Sequence, residues 1–174
     1  HRNWMWETKS DNSIIINGKG QKKHTLDAQG KIVDFHTSEN YDYVLGDASE
    51  AYADSLLETF TRSILFIKPE AIVVFDRLEA PDPATFQFLL HAPTEMHVVG
   101  QKDIFIENGN AGYHVSLLQP GNLRIDQTDQ FDPPPLPRIE LKEWHLQESA
   151  GHKQKSVQFV TVIRPYKKGE SVPR

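Results

Sequence analysis

The chain has 174 residues, a net charge of −5, no cysteine, 38% apolar residues and 25% charged residues. That length suffices for one domain with a real core, and the composition is that of a globular chain rather than a disordered or membrane-embedded one. Disulfides and thiolate metal sites are excluded. The acidic balance, with no dense Lys/Arg stripe, excludes the electrostatic footprint of a nucleic-acid binder, and the longest apolar stretches, such as residues 71–75, fall far short of a membrane span.

The first residue is His1 rather than Met, so the sequence is expected to begin inside a larger polypeptide or after processing. Short β-rich runs then recur between Gly, Pro, Asn and Asp. Residues 13–16 end in Asn17-Gly18, the strongest two-residue hairpin signal. Residues 31–35 and 41–45 follow as strands. Residues 48–59 break the pattern with helical composition, and Asp47 or Ser49 would cap a short helix or a structured loop there. Residues 62–67 and 71–78 are joined through Lys68-Pro69-Glu70, and Asp76 with Arg77 is expected to form an ion pair at the sheet edge. In residues 85–91, Phe86, Phe88 and Leu90 point one way and Gln87, Leu89 and His91 the other. Strands at 96–99, 103–107 and 113–118 come next, the last two joined by Asn108-Gly109-Asn110. Residues 123–126, 138–145 and 157–164 bring the count to about a dozen. The Pro-rich stretch 132–137 must be an extended surface connection, because successive prolines cannot pair in a ladder. Regular short strands with turn signals between them predict one all-β domain over 1–174, an antiparallel β-sandwich with at most one short helix.

Eight histidines are the obvious carriers of chemistry. None has the tight spacing of a helical zinc motif, so any metal site would be assembled from separate strands. For most of them a solvated or hydrogen-bonded strand histidine is the ordinary role. His91 differs, because it ends the most apolar strand just before Ala92-Pro93. A buried donor left unpaired costs about 1–3 kcal/mol, so its imidazole needs a backbone carbonyl, a metal or a substrate carboxylate. Asp47 follows Gly46 at a strand end, where glycine permits sharp backbone geometry; it is either a cap or a site carboxylate. His1, Trp4, Trp6, Tyr41, Tyr43 and Tyr52 concentrate rings in the amino-terminal third. Such rings suit sugar stacking, and they also suit core and edge strands.

Five strings, in order, resemble the heparinase II/III-like family. Residues 6–21, with Thr8-Lys9-Ser10-Asp11-Asn12 and Gly18-Lys19-Gly20-Gln21, resemble its T-K-x-H-N-x-I-L-V-x-G-x-G-Q signature. Gly46-Asp47-Ala48-Ser49-Glu50-Ala51-Tyr52 matches G-D-A-[ST]-x-A-Y, residues 62–69 and 72–78 resemble the next two strands, and Phe86-Gln87-Phe88-Leu89-Leu90-His91-Ala92 resembles F-x-x-L-L-H-A. The resemblance implies a polysaccharide lyase acting on uronic-acid polymers. In that family an α/α-toroid domain is paired with carboxy-terminal β-sandwich sheets, and the active site lies between them. The implied β-elimination needs something to neutralise the uronate carboxylate, a base for the C5 proton and an acid for the leaving oxygen, usually a Tyr or His pair.

On that resemblance the sandwich would add one catalytic histidine, and His1 is the candidate at this edge of the chain. A metal, commonly zinc, would be held by Asp11, Asp47 and His91. The family pattern has histidine where Asp11 stands; carboxylate is an acceptable zinc ligand, with shorter reach and added negative charge. The implied partners are an acidic polysaccharide and the protein's own amino-terminal toroid, with no nucleic acid and no membrane span. The implied location is the bacterial periplasm or outside the cell, and the isolated chain is expected to be inactive. Two further readings are a non-catalytic carbohydrate-binding or scaffolding module, and a metal-dependent β-sandwich or cupin-like enzyme complete in itself.

Overall fold

The computed structural model describes residues 3–171. Among them run twelve strands: β1 (Ile14–Ile16), β2 (Lys31–Thr37), β3 (Tyr41–Asp47), β4 (Thr59–Ile67), β5 (Ala71–Ala84), β6 (Phe86–Ala92), β7 (His97–Val99), β8 (Asp103–Asn108), β9 (Ala111–Gln119), β10 (Leu123–Thr128), β11 (Trp144–Ala150) and β12 (Gln154–Lys167). They form a small sheet ordered β1-β6-β11-β10 and a large one ordered β2-β3-β4-β5-β12-β9-β8-β7. Neighbouring strands pair antiparallel, as in Ile14↔Phe88 and Val157↔Leu78. The predicted all-β antiparallel sandwich is therefore the observed architecture.

Period-two alternation decides which side chains meet between the layers. Phe86, Phe88 and Leu90 of β6 and Leu146 of β11 are buried, as are Phe60, Leu78 and Phe159 of the large sheet. They belong to one core cluster, and Phe88 meets Phe159 at 5.9 Å between ring centres. The small sheet has half as many strands as the large one, so it leaves part of its partner uncovered. β2 is exposed along its whole length and β3 is at best half-buried.

Local expectations fared unevenly. Asn17 (φ 50°) and Gly18 (φ 73°) form the expected tight turn, closed by reciprocal bonds of 2.9 Å between Ile16 and Lys19. The chain then leaves, and β1 takes β6 as its ladder partner. The stretch 48–59 holds a single 3-10 turn, Ser49–Ala51, rather than an α-helix. Asp76 pairs with Arg62, and Arg77 with Glu79. The strand expected at 138–145 lies instead at Trp144–Ala150. Its inward row is Leu146, Glu148 and Ala150, all buried, and a glutamate in the core row disguises the alternation.

Candidate functional site: a histidine clamp on the small sheet

The outward row of the small sheet carries both histidines of interest. His91 of β6 and His145 of β11 are direct partners in the ladder, and their rings lie 5.2 Å apart. An amino-terminal stretch of two short 3-10 turns, Trp4–Trp6 and Thr8–Ser10, runs over this row. Trp4 stacks on His145 at 4.6 Å, and Phe131 packs edge-on against both rings. Burial holds the His145 imidazole below the ordinary histidine range; proximity to His91 adds to that, and Glu143 opposes it.

His91 fastens the loop that follows. Its backbone N–H donates to Asn12 Oδ1 at 2.8 Å, which fixes that atom as the amide oxygen. Its Nδ1 lies 2.9 Å from the same oxygen, and its Nε2 lies 2.8 Å from the Lys9 carbonyl oxygen. Both ring nitrogens therefore face acceptors. The loop is pinned from the other side by Arg62, whose Nη1 donates to the Asn12 carbonyl at 2.6 Å. The same guanidinium grips Asp76 through Nε and Nη2 at 2.6 and 2.7 Å, and Asp76 is 0% exposed. Burial raises the Asp76 pKa, and the Arg62 contacts work against that rise. Arg62 also lies over Phe60 and Phe88 at 5.6 and 5.7 Å, a range in which a cation gains from the ring quadrupole.

Behind this pair stands Glu148, also 0% exposed, with neither carboxylate oxygen hydrogen-bonded among the described residues. Burial, with a smaller contribution from Asp76, pushes its pKa up to about 8. On the outer side, Trp4, Lys9, Asp126, Gln127, His145 and Gln147 line an open cleft of about 260 Å³. Lys9 Nζ reaches Asp132 Oδ2 at 3.6 Å across it, tying the amino-terminal stretch to the Pro-rich connection.

The residues singled out in the sequence are only partly brought together. His1 lies outside the described residues. His91 and the Lys9–Asn12 loop meet as stated. Asp11, inside that loop, is exposed. Asp47 Oδ1 accepts from the Ser49 amide at 2.9 Å and its hydroxyl at 2.7 Å, which hold the carboxyl below its usual range. The other oxygen faces Lys31 at 3.7 Å. Among the described residues no three His, Cys, Asp or Glu side chains gather closely enough to hold a metal ion. The donor set also fits zinc poorly, since a ligating imidazole needs a lone pair and each His91 nitrogen is aimed at a carbonyl-type oxygen.

Of the aromatic set, Tyr52 is in the core and Trp4 is buried, so neither is available to stack on a sugar. Trp6 and Tyr41 are exposed; Trp6 stacks on His24, and Tyr41 lies tilted against His36. Sequence reasoning missed Asn12, Arg62 and His145 as members of the site.

The heparinase II/III-like C-terminal family matches residues 1–172, nearly the whole chain. The chain belongs to this family. Among solved structures, the heparinase-like sandwich resembles a heparinase III with a TM-score of 0.81 at 14% identity, over 99% of this chain and 26% of the other. The heparan sulfate lyase from Pedobacter heparinus gives 0.79 at 15% identity, over 98% of this chain and 26% of that one. Another heparinase III structure gives 0.70 at 14% identity, covering 93% and 24%. At such identities the likeness is one of fold. The chain spans about a quarter of the length of these structures. No curated protein sequence matches it. No helix among the described residues is long and apolar enough to cross a membrane.

Proposed function

We propose that this heparinase II/III-like sandwich is one part of a polysaccharide lyase that cleaves uronic-acid-containing chains by β-elimination. The observation that carries the reading is the family match across residues 1–172. In the proposed reaction a base removes the C5 proton beside the uronate carboxylate. The electrons form the C4–C5 double bond, the C4–O glycosidic bond breaks, and an acid protonates the departing oxygen. A second, upstream domain of the toroid type would supply most of this chemistry, and His1 is the sandwich's own candidate for a share in proton transfer. The clamped loop and the cleft beside it would form one side of the polysaccharide groove, where Lys9 suits a carboxylate and the Gln147 amide suits sugar hydroxyls. Such an enzyme would work in the periplasm or outside the cell.

The test compares the full-length protein with the isolated chain on a panel of uronans, following absorbance of the unsaturated uronate product. Activity is expected from the full-length protein and none from the chain alone. A full-length protein inactive on every uronan would leave the carbohydrate-binding reading in place of the lyase. Turnover by the isolated chain would overturn the division of the site between two domains.

A further inference from the structure

We infer that a hydrogen-bonded clamp, Asp76–Arg62–Asn12–His91, holds the amino-terminal loop of this chain where the family pattern implies a metal. The inference stands on the geometry of this chain and does not depend on the lyase reading.

The three residues that the pattern would make ligands are each committed elsewhere or out of place. His91 Nδ1 lies 2.9 Å from Asn12 Oδ1 and Nε2 lies 2.8 Å from the Lys9 carbonyl oxygen, so whichever nitrogen carries the proton, the other also faces an oxygen rather than an open coordination position. The first acceptor cannot be reassigned as an amide nitrogen, because the same atom also receives the His91 backbone N–H. Asp47 Oδ1 takes two hydrogen bonds from Ser49. Asp11 stands where the pattern has an imidazole, and it is exposed.

What a metal would accomplish here is to tie a loop to the end of β6. The clamp does this with polar contacts alone. It grips Lys9 and Asn12, the residues on either side of the Ser10-Asp11 pair, and Asn12 is held through both its side chain and its carbonyl. Arg62 carries the fixed position of the core outward, since two of its nitrogens are locked on buried Asp76 and the third reaches the loop. Arg62 and Asn12 are thus positioning residues, and the loop's order is coupled to the sandwich interior rather than to metal supply.

The experiment measures zinc in protein saturated with zinc and then freed of excess, together with melting curves in the presence and absence of EDTA. In parallel, amide hydrogen exchange of residues 10–13 is followed in the wild type, Asn12→Ala and Asn12→Asp. Zinc well below one equivalent and melting indifferent to EDTA are expected. Loop exchange should be about tenfold faster in Asn12→Ala, since the acceptor for the His91 backbone N–H and the oxygen facing Nδ1 are lost together, with the β5 and β12 amides unchanged. Asn12→Asp keeps the acceptor and should retain most of the protection. One equivalent of zinc, a melting point lowered by EDTA, or unaltered loop exchange in Asn12→Ala would each overturn the inference.

Discussion

The large sheet is two different environments joined edge to edge. At its centre, β5 and β12 lie under the small sheet, and Leu78 and Phe159 have no exposure at all. At its flank, β2 carries Ile32 at 73% exposure and Phe35 at 64%, although the residues there are no less apolar. Only the four strands of the opposing layer separate the two cases. Alternation thus tells which face a side chain takes; whether anything covers that face is a property of the other sheet. Stability should follow coverage, with the flank opening at lower cost than the centre.

Substitutions can break or sharpen that contrast. The largest loss is expected at the centre, where Phe159→Ala should cost about 3–5 kcal/mol through lost burial and the cavity left behind, measured by urea unfolding. Arg62→Leu, at the boundary between the two environments, should cost about as much, because it strands the buried Asp76 carboxylate without its partner. Phe35→Ala on the flank should change stability by less than about 1 kcal/mol. A loss at Phe35 equal to that at Phe159 would erase the distinction.

The pH dependence tests the centre in another way. Glu148 has a folded pKa of about 8 against an ordinary value of 4.5, so the folded state holds this proton more tightly than the unfolded one. The associated stability is complete below about pH 4.5 and is lost as the pH rises through about 8. Roughly 3 kcal/mol should disappear between about pH 5 and pH 8, at about 1.4 kcal/mol per unit. Glu148→Gln removes the titration, and its melting temperature should decline less over that interval. Parallel curves for the two proteins would mean that Glu148 ionises without cost.

Much of the fold was written in the sequence, because short strands with Gly, Pro, Asn and Asp between them leave few alternatives. Part of the site was legible too. The β4–β5 connection sets Ile67 opposite Ala71, and counting back five places sets Arg62 opposite Asp76. A guanidinium on the inward row of β4 requires an inward acid, and the hairpin register supplies it; adjacency suggested Arg77 instead. Other features had no local signal. His91 meets His145 only because β6 and β11 pair across more than fifty intervening residues. Glu148 reads as a surface residue, since nothing in a single sequence announces a carboxylate held in a core. Asn12 looks like any loop asparagine, and its role appears only once His91 and Arg62 approach it from two strands.

The passage from β5 to β6 has a mechanical meaning. Ala84 is still paired with Gln154 of the large sheet, and Phe86 is already paired with Ile16 of the small one. A single residue, Thr85, spans the gap, its amide tied to Asn17 Oδ1 at 3.0 Å. The layers are stitched like two leaves on one thread, with no slack in which one could peel away while the other stays intact. Force or heat that loosens the covered centre at β5 reaches β6 within a residue, so the core between the leaves opens as one cooperative unit even where the uncovered flank opens first.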